Sequence, residues 1–382
     1  MRYLVAFILA ALALPLFATG NTPAGFDHFY NLEYDEAIAS FRQEIARRPS
    51  DPAAYNHLGQ AILYRALYRS GMLEESLISG EDPLLSVIGQ PKLALSEQDE
   101  REFIDAMQTA IRLAKGRLQS DPADKDALFL LGAAHGVRAN YKFLVRKAWL
   151  SALRDTTAGL RLHKRVLELD PSHVDAKLLQ GVHDYVVAAL PKGLRILGAV
   201  AGIHGDKERG LRIIGEVASR GVNNRTDARI LLATLYRHEK RPKQAAELLD
   251  SLHASYPRNH LLLLAGITTH LDEGDTARGR RLLPVLASLW KQADPAGAAA
   301  KLSFTEGLIE MRSGEFDLAL AAFAKAGGVR SLVYTGHIYD MRGDRRSAVR
   351  AYKAAITLAP KTRCGRRSEQ YLSRPYRAEE GD

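Results

Sequence analysis

The chain has 382 residues, of which 46% are hydrophobic and 25% charged, and a formal net charge of +9. That composition excludes a disordered chain and leaves ample apolar material for a continuous core. A single cysteine, Cys364, excludes an internal disulfide framework, so packing must carry the stability. The moderate basic excess points to anionic surfaces before nucleic acid.

Residues 1–24 read as a secretory signal peptide. Arg2 supplies a positive start, residues 4–17 are apolar, and Ala18 with Gly20 or Thr22 with Ala24 offers a small-residue cleavage site. No cysteine follows the apolar run, so a lipoprotein anchor is not available. An uncleaved anchor is the alternative, although the run is short of the ~20 residues a spanning helix needs. The expected location is periplasmic or secreted.

From residue 25 onward strand-like alternation does not persist, and one spacing recurs. A small residue is followed after twelve positions by Ala, four later by an aromatic or Leu, and eight later by Pro: Gly336, Ala348, Tyr352 and Pro360, and again Ala233, Ala245, Leu249 and Pro257. Ala37, Phe41 and Pro49 carry its second half. The spacing predicts antiparallel helix pairs, in which small residues permit close approach and the large one fills the gap. The expected fold is therefore all-α, an α-solenoid of tetratricopeptide-type helix–turn–helix repeats over residues 25–360, about eight in number.

Two segments break the register. Residues 71–100 contain Gly80, Pro83, Gly89 and Pro91 and read as an insertion, either a decorating loop or a lid. Residues 188–205, around Pro191, read as an apolar elbow between two helices. The Asp-Pro pairs beginning at Asp51, Asp121 and Asp170 read as turns. Residues 361–382 are basic, with a short cap expected over residues 368–372 and mobility over the last ten.

The first helix of each repeat lines the inner face of such an array, so candidate partner-binding positions follow from the register. They are Asn56, Gln60, Phe129, Leu178, Val182, Ile230, Leu264, Phe304, Leu308 and His337. Most are apolar, which suits an amphipathic helix or hydrophobic peptide in an open groove, or core if the array closes tightly. A second candidate surface is basic. Between residues 138 and 165 stand eight Lys or Arg against one acid, Asp155. Arg138, Lys142 and Arg146 form one helical stripe, with Lys147, Arg154 and Arg161 beside it, a surface for anionic lipid, polysaccharide or an acidic partner, or a solvated face.

Residues 182–216 and 148–171 carry a resemblance. Leu190-Pro191, the run Gly202, Gly205, Asp206 and Gly210, and the stretch 132–149 are similar to exported bacterial tetratricopeptide repeat proteins and, more distantly, to the tetratricopeptide repeat protein 39 and Iml2 family. The resemblance covers about residues 50–260 and implies an all-helical fold without catalytic activity. Enzyme signatures are missing from the sequence: His238-Glu239 has Pro242 where the second His of a zinc motif would stand, and there is no nucleophile elbow or phosphate loop. His163, His173 and His183 recur every ten residues, a period that no helix brings to one face. No catalytic residue, metal or cofactor is expected, and the expected partner is a protein or peptide, or an anionic envelope surface.

Overall fold

The computed structural model describes residues 24–74, 92–190, 192–193, 195–196, 204–360 and 362–377. Residues 1–23 of the leader, most of the 71–100 insertion and half of the 188–205 elbow lie outside these residues. Among the described residues all regular structure is helical. The helices are α1 Gly25–Tyr30, α2 Tyr34–Arg47, α3 Pro52–Arg69, α4 Glu97–Ser120, α5 Lys125–Leu144, α6 Trp149–Leu169, α7 Leu178–Ala189, α8 Lys207–Arg220, α9 Arg225–His238 and α10 Pro242–Ser255. They continue with α11 His260–Asp272, α12 Thr276–Ala293, α13 Ala298–Arg312, α14 Phe316–Ala326, α15 Gly328–Met341, α16 Arg345–Leu358 and α17 Arg363–Ser373. A 3₁₀ turn, Val174–Lys177, precedes α7.

Local chemistry starts and stops these helices. Asp51, Ser96, Asp124, Asp206, Asp275 and Asp344 each accept a backbone N–H of the first turn that has no intrahelical partner. Asp121 and Asp170 instead bond the amide two residues on, making the turns expected from their prolines. In the recurring spacing, a Cβ on Gly336 would lie 2.3 Å from the Tyr352 ring, so the small residue is required by the large one opposite. Gly205 and, in the first turn of α8, Gly210 have the same cause: a Cβ would lie 2.5 Å from the backbone nitrogen of Ala188 and 2.6 Å from that of Tyr185, because α8 and the segment just before it meet α7 backbone to backbone.

The chain divides into two compact units, one ending at Asn259 and one beginning at His260. In the first unit, α1/α2, α3/α4, α5/α6, α7/α8 and α9/α10 stack as pairs, each helix packing on the next. A solenoid repeat ordinarily touches only its neighbours. Here the first repeat also meets the fifth. Tyr30 Oη donates to Asp227 Oδ1 on α9 at 2.9 Å, and its ring lies 4.9 Å from that of Tyr256. Asn259 Nδ2 donates to the Tyr30 carbonyl at 2.7 Å, and the Arg258 amide donates to Asn31 Oδ1. The Arg258 guanidinium donates to both Asp27 and Glu33 at 2.6 Å. These contacts close the first unit upon itself around a core that includes Phe26, Phe29, Phe41, Leu58, Ile62, Phe103 and Phe143.

In the second unit α11/α12, α13/α14 and α15/α16 pair in the same way, and α17 packs against α15 and α16. The turns inside these pairs place Gly274, Gly314 and Gly343 at φ of 84°, 80° and 76°. The terminal helix is longer than the expected cap. The mobility expected of the last ten residues does not extend to Tyr376, whose side chain is buried.

The seam between α1 and α9 yields a pH-dependent outcome. Asp227 is buried, its Oδ2 has no hydrogen-bond partner among the described residues, and Asp175 lies near it. Burial first, and Asp175 second, raise its pKa well above the ordinary aspartate value against the opposing bond from Tyr30. Tyr30, Tyr64 and Tyr256 also face it. The unfolded carboxyl ionises above about pH 4 while the folded one stays protonated, so stability falls with rising pH through that window by about 1.4 kcal/mol per unit. Asp227→Asn retains an acceptor for Tyr30 and removes the ionisable group. Its urea-unfolding free energy relative to wild type will therefore rise as pH is raised above about 5; a constant difference contradicts the assignment.

Candidate functional site

The inner positions of the first unit are core. Asn56 on α3 is buried and donates through Nδ2 to the Leu130 carbonyl at 3.0 Å. Gln60, Phe129, Leu178 and Val182 are buried, and Ile230 is half-buried against the aromatic core. Of the three regularly spaced histidines, the structure brings two together: the rings of His163 and His173 lie 4.9 and 5.0 Å from that of Phe129. Burial pushes the His163 pKa down to about 4, so the imidazole is neutral. His183 sits apart, beside Asp184.

The second unit arranges its inner side chains differently. Leu264 and Leu308 are buried, whereas Phe304 on α13 is half-buried. The Arg330 guanidinium lies 4.9 Å over the Phe304 ring, and Tyr334 of α15 meets that ring edge-on at 5.5 Å. Tyr334 is half-buried and 5.2 Å from His337, which is buried beneath Tyr376 and Tyr371. Phe304, Tyr334 and His337 thus form a continuous aromatic line along the first helices of the last two pairs.

The basic stripe resolves into an internal network and an open remainder. Asp155, buried on α6, accepts from His135 Nδ1 at 2.8 Å, Arg138 Nε at 2.8 Å and Lys142 Nζ at 2.7 Å. Burial alone raises a carboxyl pKa, but these three donors overcome it and hold Asp155 well below the usual range. Arg146 pairs with Glu100 at 3.2 Å. Lys147 is half-buried, its ammonium 5.7 Å from the Phe143 ring centroid, and burial with nearby Lys92 lowers its pKa. Phe143 packs edge-on against Trp149 at 4.6 Å, which makes these aromatics core. Arg154 and Arg161 are exposed.

Beside this network, an open depression of about 760 Å³ runs along α4. Its charged lining is Arg112, Lys115, Arg117 and Arg138, with no carboxylate. Among the described residues, the one carboxylate–histidine group close enough to share a metal ion is Asp27, His28 and Glu33. The Arg258 guanidinium bonds both of those acids. No described helix is long and apolar enough to cross a membrane.

Sequence reasoning passed over Arg258, Asp340 and Tyr376, whose roles arise from contacts remote in sequence or in a segment expected to be mobile. Asp155 did have a signal, as the one acid among eight bases, but nothing in the spacing marks it as their shared acceptor.

These pairs, turns and packing positions define an α-solenoid of tetratricopeptide-type repeats. The family description "Tetratricopeptide repeat" matches residues 24–68, which span α1 to α3. Solved structures similar to this chain include yeast Tom70, with 12% identity, 91% of this chain and 93% of that chain covered, and a TM-score of 0.34. Human IFIT1, as a dimer with m7Gppp-AAAA, is 12% identical over 97% of this chain and 84% of its own, with a TM-score of 0.41. The anaphase-promoting-complex assembly Cut9-Hcn1 is 13% identical over 92% and 74%, with a TM-score of 0.38. No curated protein sequence matches significantly.

The Asp155 network gives a stability prediction. Asp155→Asn leaves Arg138 and Lys142 facing one another without their shared anion, and is expected to lower the unfolding free energy by about 3 kcal/mol in urea at neutral pH. Because the folded pKa is lowered, the wild-type contribution is present above the ordinary aspartate pKa of about 3.9 and is lost as pH falls below it. A neutral-pH loss below about 0.5 kcal/mol contradicts the network's role.

Proposed function

We propose that this protein is an exported, non-enzymatic scaffold of the cell envelope that binds a protein or peptide partner through the inner face of its second unit. The observation that carries the reading is the aromatic line of Phe304 and Tyr334, half-buried at inner positions where the first unit has closed core. Aromatic side chains with an arginine rim supply large contact area at small entropic cost, the composition of interface anchors. Export to the periplasm or exterior is supported by the sequence of residues 1–24, with its apolar run and small-residue sites. We also infer a distant kinship with exported bacterial tetratricopeptide proteins and the tetratricopeptide repeat protein 39 and Iml2 family, supported by the resemblance that residues 182–216, 148–171 and 132–149 carry.

A second reading is favoured by the α4 depression. Arg112 and Lys115 line it and are exposed, so this face suits an anionic lipid or polysaccharide surface. The stripe that serves it differs from the expected one, because Arg138 and Lys142 are already held by Asp155.

A photo-crosslinking side chain at position 304, compared with one at exposed Lys353 on α16, separates the two readings in intact cells. The scaffold reading expects discrete protein adducts from position 304 and none from 353. Adducts equal at both positions, or absent from 304 while the chain binds anionic vesicles in a salt-sensitive manner lost in Arg112→Glu/Lys115→Glu, overturn it in favour of the second.

A further inference from the structure

The end of the aromatic line is covered by the chain's own tail. After α17 the backbone turns back, and Tyr376 is buried while Arg374, Pro375 and Arg377 around it are exposed. The Tyr376 ring stacks on the His337 imidazole with centroids 3.8 Å apart and planes within 9°. Its amide donates to Asp340 Oδ2 at 2.9 Å. The segment is extended: Arg374 has φ −126° and ψ 109°, the conformation that the following proline imposes.

The receiving surface is tied together by contacts that do not involve residues 374–377. Asp340, buried on α15, also accepts from Tyr352 Oη and from Arg345 Nη1, both at 2.9 Å. Arg345 in turn donates to the carbonyls of Tyr371 and Leu372 at 2.6 and 2.8 Å, and the Tyr371 ring stands edge-on to His337 at 4.8 Å. One carboxylate fixed by two side chains thus presents an acceptor to a backbone N–H, beside an aromatic slot that takes one ring. A backbone hydrogen bond combined with a pocketed side chain is how repeat and sheet-edge surfaces hold extended peptides. From this seat the line continues through Tyr334 to Phe304, where the tail does not reach among the described residues.

We propose that His337 and Asp340 of α15 form a seat for an extended proline–tyrosine peptide of a partner protein, and that residues 374–377 are its resident, displaceable occupant. The proposal rests on the scaffold reading and adds to it the ligand class and a built-in competitor. A tethered occupant lowers the apparent affinity of any partner by the fraction of time it leaves the seat open. A partner that also reaches Tyr334 and Phe304 adds contacts beyond those that residues 374–377 make, which lets it win the exchange.

The test uses the full-length chain and a fluorescein-labelled peptide with the sequence of residues 374–382. Full-length Tyr376→Ala, with its helical circular dichroism intact, is expected to bind this peptide at least about tenfold more tightly than wild type does. The same peptide with alanine in place of its tyrosine is expected to lose binding. Equal affinity for wild type and variant, or binding that ignores the peptide's tyrosine, overturns the proposal. Should Tyr376→Ala fail to fold, hydrogen exchange on wild type decides: millimolar peptide must speed exchange at the Tyr376 and Arg377 amides and leave α16 unchanged, and no change overturns it. Partner adducts at position 304 with no peptide effect would leave the scaffold standing without this seat. The converse result would leave the seat standing without the scaffold.

Discussion

The contact between α1 and the residues around α9 and α10 decides what the inner side chains of the first unit can do. A six-residue helix has no stability of its own in water, because nucleation costs more than so few bonds return. The helix Gly25–Tyr30 is nonetheless fixed at its start by Arg258 on Asp27 and at its end by Tyr30 on Asp227 and Asn259 on the Tyr30 carbonyl. With both ends tied to residues about two hundred positions away, the array cannot open at that edge. Asn56, Gln60, Phe129 and Val182 then have no route to a ligand and serve as interior. The buried Asp227 is the cost of this arrangement, a polar group whose second oxygen lacks a partner in order that Tyr30 have one.

The second unit follows the same pairing rules, and its last pair is organised around Asp340. That carboxylate holds α16 through Arg345 and Tyr352 and the tail through the Tyr376 amide, so one buried group sets both the last repeat and what lies across it. A terminal repeat must present something other than apolar surface to water. Here α17 and Tyr376 meet that need by packing on α15 and α16, which links the stability of the last repeat to what lies across it.

Much of the fold was legible in the sequence because its determinants are local. Small and large residues at fixed spacing, Asp at helix starts and Gly in the turns act within one pair, and the pairs fall where the spacing puts them. The inner face was not legible for the opposite reason. Leu178 or Val182 in an open groove and in a closed core are the same apolar residue at the same register, and only the remote contacts of Tyr30 and Arg258 distinguish the two. The basic stripe shows a similar limit. Its helical periodicity is real, yet the turn of α6 against α5 brings Asp155 under Arg138 and Lys142, so charges that read as a free face are mostly internal. Tyr376 lies in a short polar tail whose composition suggests mobility, and its burial depends on a slot formed by His337 and Tyr371.

The closure of the first unit is tested most directly by native-state hydrogen exchange at the amides of residues 29–33, which have acceptors in and just after α1. An isolated turn of helix would exchange at nearly the rate of an unfolded chain, so protection there reports the seam and nothing local. The account predicts that these amides exchange as slowly as those of α3 and α5, and that Arg258→Ala releases them while α5 and α6 stay protected. Exchange at unfolded-chain rates in the wild-type protein, with α3 and α5 protected, would contradict it.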